Sequence, residues 1–406
     1  MIQISDKTKC CGCTACASVC PKKCITMQYD EEGFLYPVVN VEQCVNCRLC
    51  EKVCPEEKLS DVVTDTSECY AIQNLNKNKR MTSTAGGAFS LIADYLLEED
   101  AVVFAVGYDN NMVVCHKMAT DSTALEKMRG SKYVQSNLGD TFSKIKDLLK
   151  ENRKVLFVGT PCQTHGLFNY IGKNDNLYII DLLCLGVSSP KLFAEWIDYL
   201  SKKYRSAVIN VQFRNKHYGY SVPNVRVSLE DGKEFDQRYD SRVHANLFFQ
   251  HLNVRPSCYV CEYRERPRIS DFTVGDFNNI GSVNSNFDDD FGTTKLWVHT
   301  PKGKDILEHI QCNCKWYLIE TNGTNIVGGQ KKMYKMPENR ESFFRDAQNM
   351  EYSQLVRKWE PYNMKGFVAG IARPIVNLLP FKSYIFKALR KRKIKKFQKR
   401  VEEVNL

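Results

Sequence analysis

The chain has 406 residues, eighteen cysteines and a formal net charge of +10. This length allows two or three domains, and the composition excludes collagen-like and broadly disordered classes. The opening "MIQISDKTKCCG" lacks an apolar h-region, and no apolar run is long enough for a transmembrane helix. A cytoplasmic protein is therefore expected, with cysteines that serve metal binding or catalysis rather than disulfides. Ten Lys and Arg and no acidic residue fall between Lys382 and Arg400, so the tail carries a charge equal to the whole excess. A near-neutral body argues against nucleic acid as a partner.

In chain order, the first feature is "KCCGCTACASVCPKKC". Cys10, Cys13, Cys16 and Cys20-Pro21 fit C-x2-C-x2-C-x3-C-P, and Cys44, Cys47, Cys50 and Cys54-Pro55 repeat it. This is the two-cluster bacterial ferredoxin signature, in which the fourth cysteine of each run ligates the other cluster. Two-residue gaps wrap the backbone around one cubane with its amides toward the sulfurs. The proline then sends the fourth thiolate across. The spacing assigns Cys10, Cys13, Cys16 and Cys54 to one 4Fe–4S cluster, and Cys44, Cys47, Cys50 and Cys20 to a second. A zinc site would show two separated pairs, and two full copies of the longer pattern argue against it. Cys11 and Cys24 fall outside the repeat and are read as bystanders. The segment between the runs, "ITMQYDEEGFLYPVVNVEQ", predicts a hairpin.

A polar linker, "EEKLSDVVTDTSEC", follows, and then helices alternate with short apolar strands. "AGGAFSLIADYLLEE", "TFSKIKDLLKEN" and "SSPKLFAEWIDYLSKKY" read as helices, the last with serine caps and Pro190 in its first turn. "AVVFAVGYD", "KVLFVG" and "LYIIDLLC" read as buried strands. The expected fold is α/β with a partly parallel sheet, becoming α+β from about residue 205, where "AVINVQFRNK" and "NVRVSLEDGKEF" suggest strands around turns. The domain reading is 1–62 for the ferredoxin unit, 63–150 and 151–345 for the mixed α/β body, and 365–406 for a basic tail.

Four more cysteines stand out by position. Cys162 and Cys184 each follow a strand, and Cys258 and Cys261 form a C-x2-C. They could converge on a third metal site, but single cysteines at strand ends are commonly inert core residues, and spacing alone leaves both readings open. "Ser83-Thr84-Ala85-Gly86-Gly87" opens a helix and offers bare amides to an anion, although a Gly-Gly at a helix start is most often a cap. Lys132, in "Gly130-Ser131-Lys132-Tyr133", reads on its own as a solvated surface lysine. His165 reads as a packing residue, Cys69 and Cys115 as core, and Cys312 and Cys314 as structural.

At these residues the chain resembles the coenzyme F-420 hydrogenase/dehydrogenase beta subunits, which carry flavin and iron–sulfur. The segments that carry the likeness are "STAGGAFSLIADYLL", "RGSKYVQS", "FVGTPCQ", "DLLCLGVSSP", "FRNKHYG", "RPSCYVCEYRERPRISDFTVGDF" and "FGTTKLWVHTPKG". The resemblance implies a third 4Fe–4S cluster on Cys162, Cys184, Cys258 and Cys261, beside a bound FAD. It implies flavin contacts from Ser83, Thr84, Ala85, Gly86 and Gly87, from Gly130, Ser131, Lys132, Tyr133 and Ser136, and from Gly159, Thr160, Pro161 and Gln163. Lys132 would act catalytically, its charge near the N1–C2=O edge favouring reduced flavin. Asp271 and Asp276 are expected to be structural or substrate-side groups. The family usually shows Cys-His-Gly at the second ligand, whereas here it is Cys184-Leu185-Gly186.

The function so implied is an FAD- and 4Fe–4S-dependent oxidoreductase. It would pass electrons from a ferredoxin-type donor through three clusters and FAD to an organic substrate, a deazaflavin coenzyme or a cell-envelope sugar or lipid-linked intermediate. The alternative is an electron-transfer subunit of a larger complex with no substrate of its own. The tail, with Phe381, Tyr384, Ile385 and Phe386 beside its cations, predicts either peripheral contact with the inner membrane face or a solvated helix or docking arm for an acidic donor.

Overall fold

The computed structural model describes residues 1–57, 67–222, 224–236, 239–264, 266–319 and 334–360. The tail at 365–406, and most of the linker before residue 67, lie outside them.

Strands β1 (Ile25–Tyr29) and β2 (Leu35–Val39) form the hairpin between the two cysteine runs. The main sheet comprises β3 (Glu68–Asn74), β4 (Val102–Tyr108), β5 (Val114–Ala119), β6 (Val155–Gly159) and β7 (Leu177–Leu182). A second, antiparallel sheet follows from β8 (Val208–Asn215), β9 (Asn224–Leu229) and β10 (Glu234–Asp236). The chain then returns to the main sheet with β11 (Phe272–Asp276), β12 (Thr294–Val298) and β13 (Cys314–Ile319).

The main sheet runs β13-β3-β12-β11-β7-β6-β4-β5. Its middle, β11-β7-β6-β4, is parallel and the flanks are antiparallel. The expected mixed α/β class is what the chain adopts. Strand alternation sends Val103 and Ala105 of β4 into the core on one face, under the helix Ala88–Glu98. Val102 and Phe104 go to the other face, under the helices Thr141–Lys150 and Pro161–Ile171.

That second core also holds Cys11, Cys13, Ala15 and Val53 of the N-terminal unit. Phe34 and Tyr36, from the hairpin, enter a further core built on Phe193, Trp196 and Phe213. Buried Arg340 clasps Glu32 at 2.6 Å from the far end of the chain. The cysteine-rich head is thus packed into the body over shared apolar surface.

A candidate iron–sulfur centre of three thiol-lined cavities

The N-terminal runs form two cavities. Cys10, Cys13, Cys16 and Cys54 line one, of about 320 Å³, together with Cys11 and Glu56. Cys20, Cys44, Cys47 and Cys50 line another, of about 350 Å³, together with Cys24. Each run supplies three thiols to one cavity and its fourth to the other. Short helices, Ala15–Val19 and Leu49–Lys52, follow left-handed residues at Thr14 and Arg48. Amides point at sulfur around these turns: those of Gly12, Ala15 and Ala17 donate to Cys10, Cys13 and Cys16, and from the N-terminus Ile2 N lies 3.3 Å from Cys50 Sγ.

The third cavity, of about 580 Å³, is lined by Cys162, Cys184, Cys258, Cys261 and Cys11. Parallel pairing of β6 with β7 sets their C-terminal ends side by side, the usual ligand crevice of such sheets. Cys162 is the second residue of a helix whose cap, Thr160, forms a capping box with Gln163. Cys184 lies just beyond β7. The chain after it pairs with the segment before the C-x2-C: Ser189 N donates to Asn253 O and Arg255 N to Val187 O, both at 3.0 Å. That short ladder carries Cys258 and Cys261 to the strand ends. Gly186 has φ +117°, and a Cβ there would meet Tyr334 Oη at 2.5 Å and Cys258 Cβ at 3.3 Å. Only glycine fits this turn.

The donor chemistry suits cubanes. Among the described residues no three His, Cys, Asp or Glu converge closely enough for a single ion; the thiols ring voids instead. Burial pushes Cys184 and Cys16 up to about 12, and Cys54 to about 11. Four such thiols can ionise together only against a positively charged core such as iron supplies. In the third cavity the amides of Gly186, Val187 and Tyr263 donate to Cys184, Cys258 and Cys261.

Two sequence readings need correction. Cys11 and Cys24 are not remote from the sites. Cys11 follows Cys10 on a backbone bent around the first cavity, so its thiol enters the third and hydrogen-bonds Cys162 and Cys13. Cys24 Sγ lies 3.4 Å from Cys20 Sγ. Cys115 is only half-buried, whereas Cys69 is fully buried on β3. His165 is buried against the Tyr263 ring at 4.9 Å, with its pKa lowered to about 4 by burial.

The residues expected at a flavin divide into three groups. The Ser83–Gly87 and Gly130–Tyr133 loops meet, with Thr84 Oγ1 2.9 Å from Ser131 Oγ. Gly86 packs against β3 and β12, where a Cβ would lie 2.0 Å from Ile72 O, and Gly87 caps the helix Ala88–Glu98 with φ +88°. Ala85 is buried and its carbonyl accepts from Lys216. Thr160, Pro161 and Gln163 line the third cavity, immediately after Gly159 ends β6. Ser136 joins His116 and Gln163 in a buried chain at 3.1 and 3.0 Å. Tyr133 stacks on Phe248 at 5.0 Å and meets Arg214 at 3.4 Å.

Lys132 is turned inward: its Nζ donates to the carbonyls of Val106, Met128 and Arg129 at 2.9–3.1 Å. Burial pulls it down to about 7. The two loops therefore meet each other, while this ammonium is spent on backbone. Lys216 is held the same way by Arg80, Ala85 and Phe291 carbonyls, a partner set that no local pattern announces. Asp271 is structural, accepting from Ile179 N and Thr300 Oγ1. Asp276 pairs with Arg214 at 2.8 Å.

Residues 9–58 match a 4Fe–4S dicluster domain. Residues 69–142 match the N-terminal region, and 152–321 the C-terminal region, of the coenzyme F420 hydrogenase/dehydrogenase beta subunit. No curated protein matches. Among solved structures, a chain of the F420-reducing NiFe hydrogenase complex from Methanosarcina barkeri is 16% identical, with TM-score 0.43, covering 73% of this chain and 93% of that one. The protein belongs to the coenzyme F420 hydrogenase/dehydrogenase beta-subunit family, an oxidoreductase family, and its head is a 4Fe–4S-binding domain.

Proposed function

We propose that this chain is an iron–sulfur oxidoreductase that conducts single electrons through three 4Fe–4S sites toward a flavin and an organic acceptor. The observation that carries the reading is the series of three thiol-lined cavities, the first and third sharing Cys11 in their walls. Cys10, Cys13, Cys16 and Cys54 would hold the first cluster, Cys20, Cys44, Cys47 and Cys50 the second, and Cys162, Cys184, Cys258 and Cys261 the third. When bound, such clusters supply one-electron carriers whose potential is set by burial and by hydrogen bonds to sulfur.

The chain's own residues give the path a direction. Cys47 is exposed, with Lys22 and Arg48 in the same cavity wall, so the second site is the natural place for a donor protein to meet the chain. Cys162, Cys184 and Cys258 are partly buried at the strand ends, among Tyr263, Arg264 and Arg268. Ser83–Gly87, Gly130–Tyr133 and Ser136 are the proposed FAD loops, supported by their convergence and by family membership. FAD would couple single electrons to a two-electron transfer, and a deazaflavin is the first acceptor to try. In a second reading, the chain serves a larger complex as its electron-transfer subunit. Proposed domain limits are 1–62, 63–150, 151–345 and 365–406.

Anaerobic purification followed by iron, sulfide and flavin assay tests the reading. About twelve iron and one FAD per chain are expected from three four-iron cubanes. About eight iron with no flavin would sink it. Turnover of a deazaflavin without added protein separates an enzyme from a subunit.

A further inference from the structure

Arg255 ends the short ladder that pairs Val187–Ser189 with Asn253–Arg255, and its side chain enters the wall of the third cavity beside Cys10. It is fully buried. Its Nε donates to Cys10 O at 2.9 Å, Nη1 to Gln135 Oε1 at 2.9 Å, and Nη2 to Leu35 O at 3.0 Å and Cys10 Sγ at 3.7 Å. None of these acceptors is a carboxylate. The guanidinium also lies over Tyr36 at 4.2 Å and Phe34 at 5.5 Å. Two other buried arginines of the fold differ sharply: Arg340 has Glu32 at 2.6 Å and Arg268 has Asp181 at 3.1 Å.

A guanidinium removed from water is costly unless an anion compensates it. Cys10 and Tyr36 lie against Arg255, and Cys11 and Cys258 line the same cavity as its side chain. Two of them belong to different proposed cluster sites, Cys10 to the first and Cys258 to the third. A cubane on four thiolates is a net anion, and reduction by one electron adds one more negative charge. A fixed cation beside it stabilises the reduced form more than the oxidised one.

We infer that Arg255 is the shared counter-cation of the first and third cluster sites, a positioning residue that raises the reduction potential of the first. This rests on the reading that those thiols hold clusters. Gln135 completes the device by accepting from Arg255 Nη1 while its own Nε2 donates to Cys11 O at 3.2 Å. The one-electron couple needs no proton and no group beyond the electron donor already proposed.

The test is an EPR-monitored redox titration of the anaerobically purified full chain, with iron and sulfide assayed on each sample. Arg255→Gln should make one cluster harder to reduce by tenfold or more in the reduction equilibrium, a fall of about 59 mV for one electron. Arg255→Lys, which keeps the charge, should fall less. Gln135→Glu keeps the acceptor but neutralises the guanidinium, so it should lower the same signal even if Arg255→Gln does not fold. Unchanged midpoints at full iron content would overturn the proposal. Loss of iron from both Arg255→Gln and Gln135→Glu would also overturn it, leaving Arg255 a scaffold residue only. Wild-type protein lacking iron at the first and third sites would instead break the cluster reading itself.

Discussion

The second and third cavities present the same four-thiol chemistry in opposite settings. The second is made by two loops of the N-terminal unit, either side of one hairpin, and lies at the surface, with Cys47, Val45 and Leu49 exposed around it. The third is made by two strand ends and a distant turn, and Cys184 and Cys258 are partly buried beside Tyr263, Arg264 and Arg255. A site built within the N-terminal unit can assemble as soon as that unit meets its metal. A site built from β6, β7 and the Pro256–Val260 turn needs the whole sheet first.

The sharpest way to break this contrast is to remove thiols on one side of it. Cys258→Ser combined with Cys261→Ser should take out the third site alone, lowering iron from about twelve to about eight per chain. The signals of the two head clusters should persist, because their loops take no ligand from residues 258–261. Iron and sulfide assay with EPR on the reduced protein reads this directly. Loss of all iron would mean that the three sites assemble as one unit and that the contrast between local and long-range construction is false.

The same contrast explains what was legible in the sequence. Cys10 to Cys20 and Cys44 to Cys54 announce themselves because their spacing is the coordination geometry. The strands at 102–108, 155–159 and 177–182, and the helix after Ser189, also follow from local pattern, since apolar runs and a Ser-Pro start determine them. Cys162, Cys184, Cys258 and Cys261 have no such signal. What brings them together is the β6–β7 pairing and the Ser189–Asn253 ladder, and their grouping came only from resemblance. Arg255 was missed for the same reason. A cation three residues before a C-x2-C was the available hint, but nothing local shows that its plane lands on Cys10. Lys132 was legible as a cation, though not as one whose three hydrogen bonds end on carbonyls.

A smaller effect probes the seam between the sites. Gly166, in the helix that carries Cys162, packs on the first cluster loop: a Cβ there would sit 2.8 Å from Cys13 Sγ and 3.0 Å from Cys13 Cβ. Gly166→Ala should force the helix Pro161–Ile171 and the Cys13 loop apart, costing about 1–3 kcal/mol, as overpacking does. A fall in denaturation midpoint together with an altered first-cluster EPR line shape is the expected outcome. An unchanged midpoint and line shape would show that the head and body are less tightly keyed than their shared core implies.

The smallest effect concerns the exposed end. Lys22 and Arg48 line the second cavity beside Cys47, and neither side chain is needed to close a core. If an acidic donor protein docks there, Lys22→Glu with Arg48→Glu should slow its electron delivery by about tenfold at low salt, and the difference should shrink as ionic strength rises. Reduction by dithionite, a small reagent that needs no docking face, should change far less, and iron content should stay at the wild-type level. The paired readout matters because the third site makes the opposite demand. An electron introduced there directly would bypass Lys22 and Arg48, so equal rates for the charge-reversed and wild-type chains with the protein donor would place the entry point away from Cys47.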